Sequence, residues 1–195
     1  MRIFLAGASG IIGVRLLPLL VDAGHEVAGM TRSAGNTGKI EALGAQAVVC
    51  DVFDAATLAE VVAAFHPDLV MHQLTDLPDK VDRIPEYTGR NNRIRTEGTR
   101  NLLAAAQAAG ASRFLAQSIA WKPPGGGEAV GEHEALVLGT GGVVVRYGQL
   151  YGPGTYYPGE PPSPPRIHVD DAARRTLPAL DVPSGIVVLS DTEQG

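Results

Sequence analysis

Several residue types are scarce in this sequence, and each shortage excludes a class of protein. One cysteine, Cys50, in 195 residues excludes an internal disulfide and a cysteine-based zinc site, and it indicates a reducing compartment. The net charge is -5 and no run is rich in lysine and arginine, which argues against a nucleic-acid partner. No apolar stretch is long enough to span a membrane, and glycines interrupt the apolar start where a secretory signal needs its core. We therefore expect a soluble cytoplasmic protein with neither a membrane nor a nucleic-acid partner.

Glycine, in contrast, is abundant, and three glycines form a regular turn near the start of the chain. An apolar segment over residues 2–6 leads into Gly7, Gly10 and Gly13, and a leucine-rich helical pattern follows. A strand, a glycine turn and a helix start together bind a pyrophosphate: the turn is tight, the backbone approaches the phosphates, and the helix N-terminus offers free N–H groups. The predicted contacts of a dinucleotide in this turn are Gly7, Ser9, Gly10, Ile11 and Ile12.

Strand-like and helix-like segments alternate along the rest of the chain. The predicted strands are residues 3–6, 26–30, 47–50, 69–74, 114–117, 143–146 and 186–189. The predicted helices are residues 11–23, 39–43, 55–65, 92–109 and 128–138. Such alternation implies right-handed βαβ units. We expect an α/β fold of the Rossmann type, with a doubly wound parallel sheet in a single domain over residues 1–195 and a proline-rich loop over residues 154–169.

Two polar residues follow strands at the edge where such sheets bind ligands. Arg32 comes directly after the second strand, where an acidic residue would accept from the ribose hydroxyl of NAD and an arginine suits the 2′-phosphate of NADP. Arg32 therefore favours NADP(H), with NAD(H) as the second choice, unless it is a solvated surface arginine. Asp51 follows the third strand and could accept from the adenine amino group, or it could simply shape a turn.

Several segments together resemble the extended and atypical short-chain dehydrogenase/reductase superfamily, in its sugar-nucleotide epimerase/dehydratase branch. They are the opening Leu5-Ala6-Gly-Ala-Ser-Gly-x-x-Gly, Cys50-Asp51-Val52, the segment from Asn92 to Leu103, Arg146-Tyr147-Gly148-x-x-Tyr151-Gly152-Pro153-Gly154, and Ile167-His168-Val169-Asp170-Asp171-Ala172-Ala173. The resemblance implies a dinucleotide cofactor, and it makes a homodimer plausible by analogy. Further predicted cofactor contacts are Asp51, Val52, Gln73, Leu74, Thr75 and Asn92.

The sequence departs from this family at its catalytic pair. Family oxidoreductases use a tyrosine and a lysine one helical turn apart, because an unassisted phenol has a pKa near 10. No Tyr-x-x-x-Lys occurs here, and placing Glu134 on the family's acidic position puts Gly126 and Val130 where the pair should be. The remaining catalytic candidates are Ser118, His133 and Tyr147. Ser118 could instead cap a strand end, and His133 could be an ordinary helix residue.

Trp121 follows Ser118, and we expect the two to line a substrate pocket. His168 and Asp170 resemble a metal-binding pair, but Asp170 is explained more simply as a helix N-cap. We therefore predict no metal site. Little chain is left for a substrate region at the C-terminal side, so a pocket roof would come from residues 77–90, the proline-rich loop or a partner subunit.

Three functions fit these observations. The one we favour is an atypical NADP-dependent oxidoreductase or epimerase that acts on a small carbonyl or hydroxyl compound. The second is a dinucleotide-binding sensor or regulator of the NmrA-like kind, without turnover. The third is a non-redox lyase, cyclase or isomerase on the same fold. The missing pair weakens the first, and fold alone does not decide between them.

Overall fold

A computed structural model describes residues 1–123, 125 and 127–191 of the chain. In this part the strands are β1 (Arg2–Ala6), β2 (Glu26–Thr31), β3 (Gln46–Val49), β4 (Leu69–His72), β5 (Arg113–Ile119), β6 (Val143–Tyr147), β7 (Gln149–Tyr151), β8 (Arg166–His168) and β9 (Gly185–Leu189). The α-helices are α1 (Gly13–Asp22), α2 (Thr37–Ala42), α3 (Ala55–Phe65), α4 (Ile84–Arg93), α5 (Thr99–Ala108), α6 (Gly127–Gly139) and α7 (Val169–Thr176). None of these helices is long and apolar enough to cross a membrane.

Seven strands form one parallel sheet in the order β3-β2-β1-β4-β5-β6-β9. Alternate residues of each strand face opposite sides of the sheet, as strand geometry requires. Ile3 and Leu5 pack with α1 and α7 on one face, whereas Phe4 and Ala6 pack with α3 and α5 on the other. Both faces are therefore covered by helices. The predicted fold class, a doubly wound parallel sheet of the Rossmann type, is confirmed.

The helix predicted over residues 92–109 is the second part of a longer helical segment. It begins with α4, which has Pro85 in its first turn, passes through a π-helical turn over Ile94–Gly98 and continues as α5. Proline is tolerated there because the first-turn N–H groups have no partner within the helix. Residues 84–91 of α4 are missing from the sequence prediction because most of their side chains are polar, so the segment has few apolar residues that would indicate a helix.

The predicted loop over residues 154–169 is partly wrong, because its end is ordered as a strand. β8 pairs in parallel with β7, and the chain then enters α7. The N-cap of α7 is His168, whose Nδ1 accepts from the Asp170 N–H at 3.3 Å, so the prediction that Asp170 is the N-cap is wrong. The predicted roof segments do meet, since the Tyr156 hydroxyl donates to the Pro78 carbonyl.

Arg15 joins this late segment to the glycine turn. Its guanidinium donates to the Asp170 carboxylate at 2.6 Å, to the Ile11 carbonyl at 2.8 Å and to the Pro153 carbonyl at 2.7 Å. Three elements that are distant in sequence, namely the turn before α1, the segment after β7 and the start of α7, are thus held by one side chain.

Candidate functional site

The glycine turn lies at the carboxyl end of β1, and its three glycines have different surroundings. Gly7 has φ +93°, and a Cβ there would lie 2.6 Å from the Gln73 carbonyl oxygen. A Cβ on Gly13 would lie 2.2 Å from the Gly7 carbonyl oxygen, so both positions are closed by backbone. A Cβ on Gly10 would meet only the Gly7 carbonyl oxygen, at 3.2 Å, and would otherwise enter open space. Gly10 therefore keeps space open in front of the turn.

Among the described residues, three N–H groups of this turn have no acceptor. The N–H groups of Gly7 and Ala8 donate to the Met30 carbonyl, and the Gly10 N–H donates to the Gly7 carbonyl. Within the described residues nothing accepts from the N–H groups of Ser9, Ile11 and Ile12, which precede α1. Unused N–H groups at a helix start attract phosphate oxygens. The turn thus fits the pyrophosphate of a dinucleotide, as predicted from the sequence.

Arg32 lies at the end of β2, beside the turn. Its side chain is 63% exposed, and its Nη1 lies 3.6 Å from Oδ2 of Asp76. The Asp76 side chain is only 8% exposed, and the same Oδ2 accepts from Arg90 Nε at 2.9 Å. The Asp76 N–H donates to Asn91 Oδ1 at 3.0 Å, which fixes the aspartate between two arginines.

The predicted adenine contacts follow β3. Asp51 Oδ1 accepts from the Phe53 N–H at 2.9 Å, which is the turn geometry that the sequence offered as the alternative role. The residue is nevertheless exposed. Val52 is buried, and its carbonyl accepts from Asn101 Nδ2 at 2.9 Å. Asn92 lies near the end of α4, and its Oδ1 is buried without a partner in the part of the chain that the structure describes.

The loop after β4 carries the predicted contacts Gln73, Leu74 and Thr75. Side chains hold both peptide groups of Leu74: its N–H donates to His72 Nδ1 at 3.2 Å, and its carbonyl accepts from Gln117 Nε2 at 3.3 Å. Gln73 is buried and faces the core, while Thr75 is exposed at the edge of the sheet. The conformation of this loop is therefore held by side chains of β4 and β5.

Ser118, the first catalytic candidate, is buried beneath α6. Its hydroxyl donates to Glu134 Oε1 at 2.6 Å, and both oxygens of Glu134 also accept from Arg146, at 2.9 and 2.5 Å. We call Ser118, Glu134 and Arg146 the closed cluster. Burial raises the pKa of Glu134, but the hydrogen bonds from Arg146 and Ser118 outweigh it and the pKa lies below its ordinary value. The Ser118 hydroxyl thus donates its hydrogen bond to a buried carboxylate and not to a substrate.

His133, the second candidate, has both ring nitrogens occupied. Nε2 lies 3.0 Å from the Gln117 carbonyl and must donate to it, so Nδ1 of the neutral ring accepts from the Thr99 hydroxyl at 2.7 Å. The ring also makes an edge-to-face contact with His72. Burial lowers the pKa of His133, which keeps the ring neutral. The geometry supports the ordinary helix residue better than a proton-transfer group.

Tyr147, the third candidate, belongs to the core. Its hydroxyl lies 2.7 Å from the Thr176 hydroxyl and accepts a long hydrogen bond of 3.4 Å from Gln73. Burial raises the pKa of Tyr147 to about 12, so the phenol is a poor proton donor near neutral pH. Trp121 is half-buried just beyond β5, close in sequence to Ser118.

The structure therefore places the predicted cofactor residues of the segments after β1, β2, β3 and β4 at one edge of the sheet. The three catalytic candidates lie near one another around β5 and β6, but each of them is hydrogen-bonded within the protein. Val130 lies on α6, and Gly126, the other position aligned with the missing pair, lies outside the described residues. Among the described residues no group of three or more histidine, cysteine, aspartate or glutamate side chains could hold a metal ion. No sequence pattern indicated Asp76 or its partner Arg90 on α4. The two residues are 14 positions apart, and no local motif in the sequence between them predicts that they pair.

Comparison with known proteins identifies the family and the fold of this chain. The family model of the NAD dependent epimerase/dehydratase family matches residues 3–118, from the first strand to Ser118. A 3-diazoavenalumate denitrifying reductase from a Streptomyces species is 36% identical over 93% of this chain and 72% of its own length. A 3-beta-hydroxysteroid dehydrogenase from Mycolicibacterium neoaurum is 30% identical over 77% of this chain, but this match spans only 39% of the dehydrogenase.

Solved structures share the fold at low sequence identity. The UDP-glucose 4-epimerase of Thermus thermophilus in complex with NAD has a TM-score of 0.79 and 21% identity, and the match covers 99% of this chain and 78% of that chain. The Bordetella bronchiseptica enzyme WbmH in complex with NAD+ has a TM-score of 0.76 and 20% identity, covering 98% and 76%. The chain belongs to the NAD dependent epimerase/dehydratase family.

Proposed function

We propose that this member of the family is a reductase that binds NADP(H) in preference to NAD(H) and acts on a small molecule. The observation that carries the proposal is the glycine turn, with open space at Gly10 and unused N–H groups at Ser9, Ile11 and Ile12. Reduced nicotinamide would supply a hydride when bound. Cytoplasmic location and a homodimer remain predictions from the sequence.

The cofactor preference rests on Arg32. Its guanidinium is mostly exposed beside the turn, and its contact with Asp76 is long, at 3.6 Å. An arginine matches a phosphate group, whereas the ribose hydroxyl of NAD calls for an acceptor. Asp51 and Val52 would flank the adenine, and Leu74, Thr75 and Asn92 would contact the rest of the dinucleotide. The buried side chain of Gln73 faces the core and Tyr147 instead.

The state of the three catalytic candidates favours a reduction that takes no proton from the protein. Reduction of a carbonyl needs a proton for the oxygen, but the hydroxyl of Ser118, the ring of His133 and the phenol of Tyr147 are all engaged inside the protein. Replacement of the N2 group of an aryl diazonium cation by hydrogen consumes one hydride and releases N2, with no proton from the protein; a neutral diazo compound would first take up its proton from solvent. The 36% identical relative is named as a denitrifying reductase of a diazo compound. We therefore place such leaving-group reductions ahead of the carbonyl and hydroxyl compounds expected from the sequence.

Fluorescence titration tests the cofactor part of the proposal. We expect the wild-type protein to bind NADPH about tenfold more tightly than NADH, and Arg32→Ala to remove most of that preference with little change for NADH. Negligible binding of both nucleotides would overturn the proposal. Equal affinities in the wild type would overturn the preference alone.

A turnover assay tests the reaction. With NADPH present, we expect the protein to convert 3-diazoavenalumate faster than an aromatic aldehyde of similar size, with a reaction lacking protein as the control. Preference for the aldehyde would overturn the proposed substrate class. Binding of NADPH without turnover of either compound would instead support the second candidate, a dinucleotide-binding regulator, which is favoured by the same engagement of all three catalytic candidates.

A further inference from the structure

Asp76, Arg90 and Arg32 form a cluster of two cations and one anion beside the glycine turn. Arg90 reaches Oδ2 of Asp76 from α4 at 2.9 Å, and Arg32 approaches the same oxygen from the end of β2 at 3.6 Å. The carboxylate is nearly buried, whereas both arginines are more than half exposed. The nearer guanidinium, that of Arg90, is thus the main partner of the carboxylate.

The topology places this cluster over the cofactor turn. β2 and β4 are the two neighbours of β1 in the sheet, and the turn follows β1. A contact between Arg32, after β2, and Asp76, after β4, therefore passes across the carboxyl end of β1. Any dinucleotide held by the turn lies next to these side chains.

The charges of the cluster decide how well it accepts an anion. While Arg90 compensates Asp76, the positive charge of Arg32 is available to a phosphate. Without Arg90, Asp76 would draw Arg32 to itself and would repel a phosphate. The neighbouring arginines of this segment cannot replace Arg90, since Arg93 is held by Glu97 and Arg83 by Glu86.

We propose that Asp76 and Arg90 are specificity-determining residues that set the NADP(H) preference by controlling Arg32. Arg90 favours the 2′-phosphate by occupying Asp76, and Asp76 limits that preference by competing for Arg32. The inference rests on the proposed cofactor function and adds two residues that act beside Arg32.

Affinities of four proteins for NADPH and NADH test this inference. We expect Arg90→Ala to weaken NADPH binding about fivefold and NADH binding less than twofold, because only NADPH carries the 2′-phosphate. Asp76→Asn should tighten NADPH binding about threefold. The double variant Asp76→Asn/Arg90→Ala should bind NADPH at least as tightly as the wild type, since Arg90 has nothing left to neutralise. All differences should shrink at high salt.

The control is Arg83→Ala, which removes an equal charge from the same segment and should leave both affinities within twofold of the wild type. Equal losses for NADPH and NADH in Arg90→Ala, or a double variant as weak as Arg90→Ala, would overturn the inference. If Arg90→Ala fails to fold, Asp76→Asn decides the matter: unchanged NADPH affinity would overturn the inference. A wild type that binds neither nucleotide, or shows no preference, would instead overturn the proposed cofactor function.

Discussion

The glycine turn and the closed cluster lie at the carboxyl ends of strands of the same sheet, and they differ in how far their polar groups are already used. In the turn, the N–H groups of Ser9, Ile11 and Ile12 have no acceptor among the described residues. In the closed cluster, the Ser118 hydroxyl, both Glu134 oxygens and two nitrogens of Arg146 are bonded to one another. Unused polar groups can receive a ligand, whereas mutually bonded ones stabilise the fold. We infer from this contrast that the glycine turn binds a ligand and that the closed cluster is structural, and the following variants test this inference.

The largest effect is expected at Gly10. In Gly10→Val the side chain would occupy the open space in front of the turn, so NADPH affinity should fall at least about 100-fold while the melting temperature changes little. Isothermal titration and thermal unfolding measure the two quantities. Gly131→Val, at an exposed position of α6 with nothing near its Cβ, is the control for valine at a glycine and should keep its affinity. Normal NADPH binding by Gly10→Val would mean that the turn is not the binding region.

A smaller effect, on stability, is expected at Glu134. Glu134→Gln leaves the Arg146 guanidinium without its carboxylate, and we expect a loss of about 2 kcal/mol in the free energy of unfolding at pH 7. The folded-state pKa of Glu134 is lowered, so its contribution is present above the unfolded pKa of about 4.3 and is lost as the pH falls through the folded value.

Urea unfolding of the wild type and Glu134→Gln at pH 7 and at pH 3 measures this change. The difference between the two proteins should be clearly smaller at pH 3. An equal difference at both pH values would show that Glu134 does not act through its charge.

The smallest effect is expected at Ser118. Ser118→Ala removes one hydrogen bond to a carboxylate that Arg146 still holds with two, so unfolding should cost about 1 kcal/mol less. Because the hydroxyl does not face a substrate, kcat for any NADPH-dependent turnover should stay within about twofold of the wild type. A drop of two orders of magnitude in kcat, at unchanged NADPH affinity, would return Ser118 to the catalytic residues and contradict the structural assignment of the closed cluster.

Local patterns predicted the strand, turn and helix that carry the proposed binding region. The strand, the glycine spacing and the helix start are contiguous in residues 2–21, although the clash that a Cβ at Gly7 would meet is with the distant Gln73 carbonyl. The alternation of strands and helices likewise fixed the parallel sheet, because its units are local and their handedness is constrained. The placement of Arg32 at the carboxyl edge of the sheet could also be predicted, because it directly follows a strand.

The closed cluster and the Asp76 cluster could not be predicted in this way. Ser118, Glu134 and Arg146 come from β5, α6 and β6, and only the packing of α6 on the sheet brings them together. Arg90 lies on a helix whose side chains are mostly polar, so few apolar residues indicate that helix in the sequence. The predicted N-cap of α7 is also misplaced: the helix begins at Val169, so His168 is the cap, and Asp170 lies in the first turn and accepts from Arg15, 155 residues away.

That hydrogen bond has a consequence for the order in which the protein folds. The glycine turn is encoded in the first 13 residues, yet the side chain that braces it is anchored to Pro153 and Asp170. On a ribosome, the turn would therefore acquire its final support only after α7 has emerged, long after β1 and α1 are available. Contacts of such sequence separation form late and slow the folding of parallel sheets. The earliest part of the chain to be made would thus be among the last to reach a ligand-ready geometry.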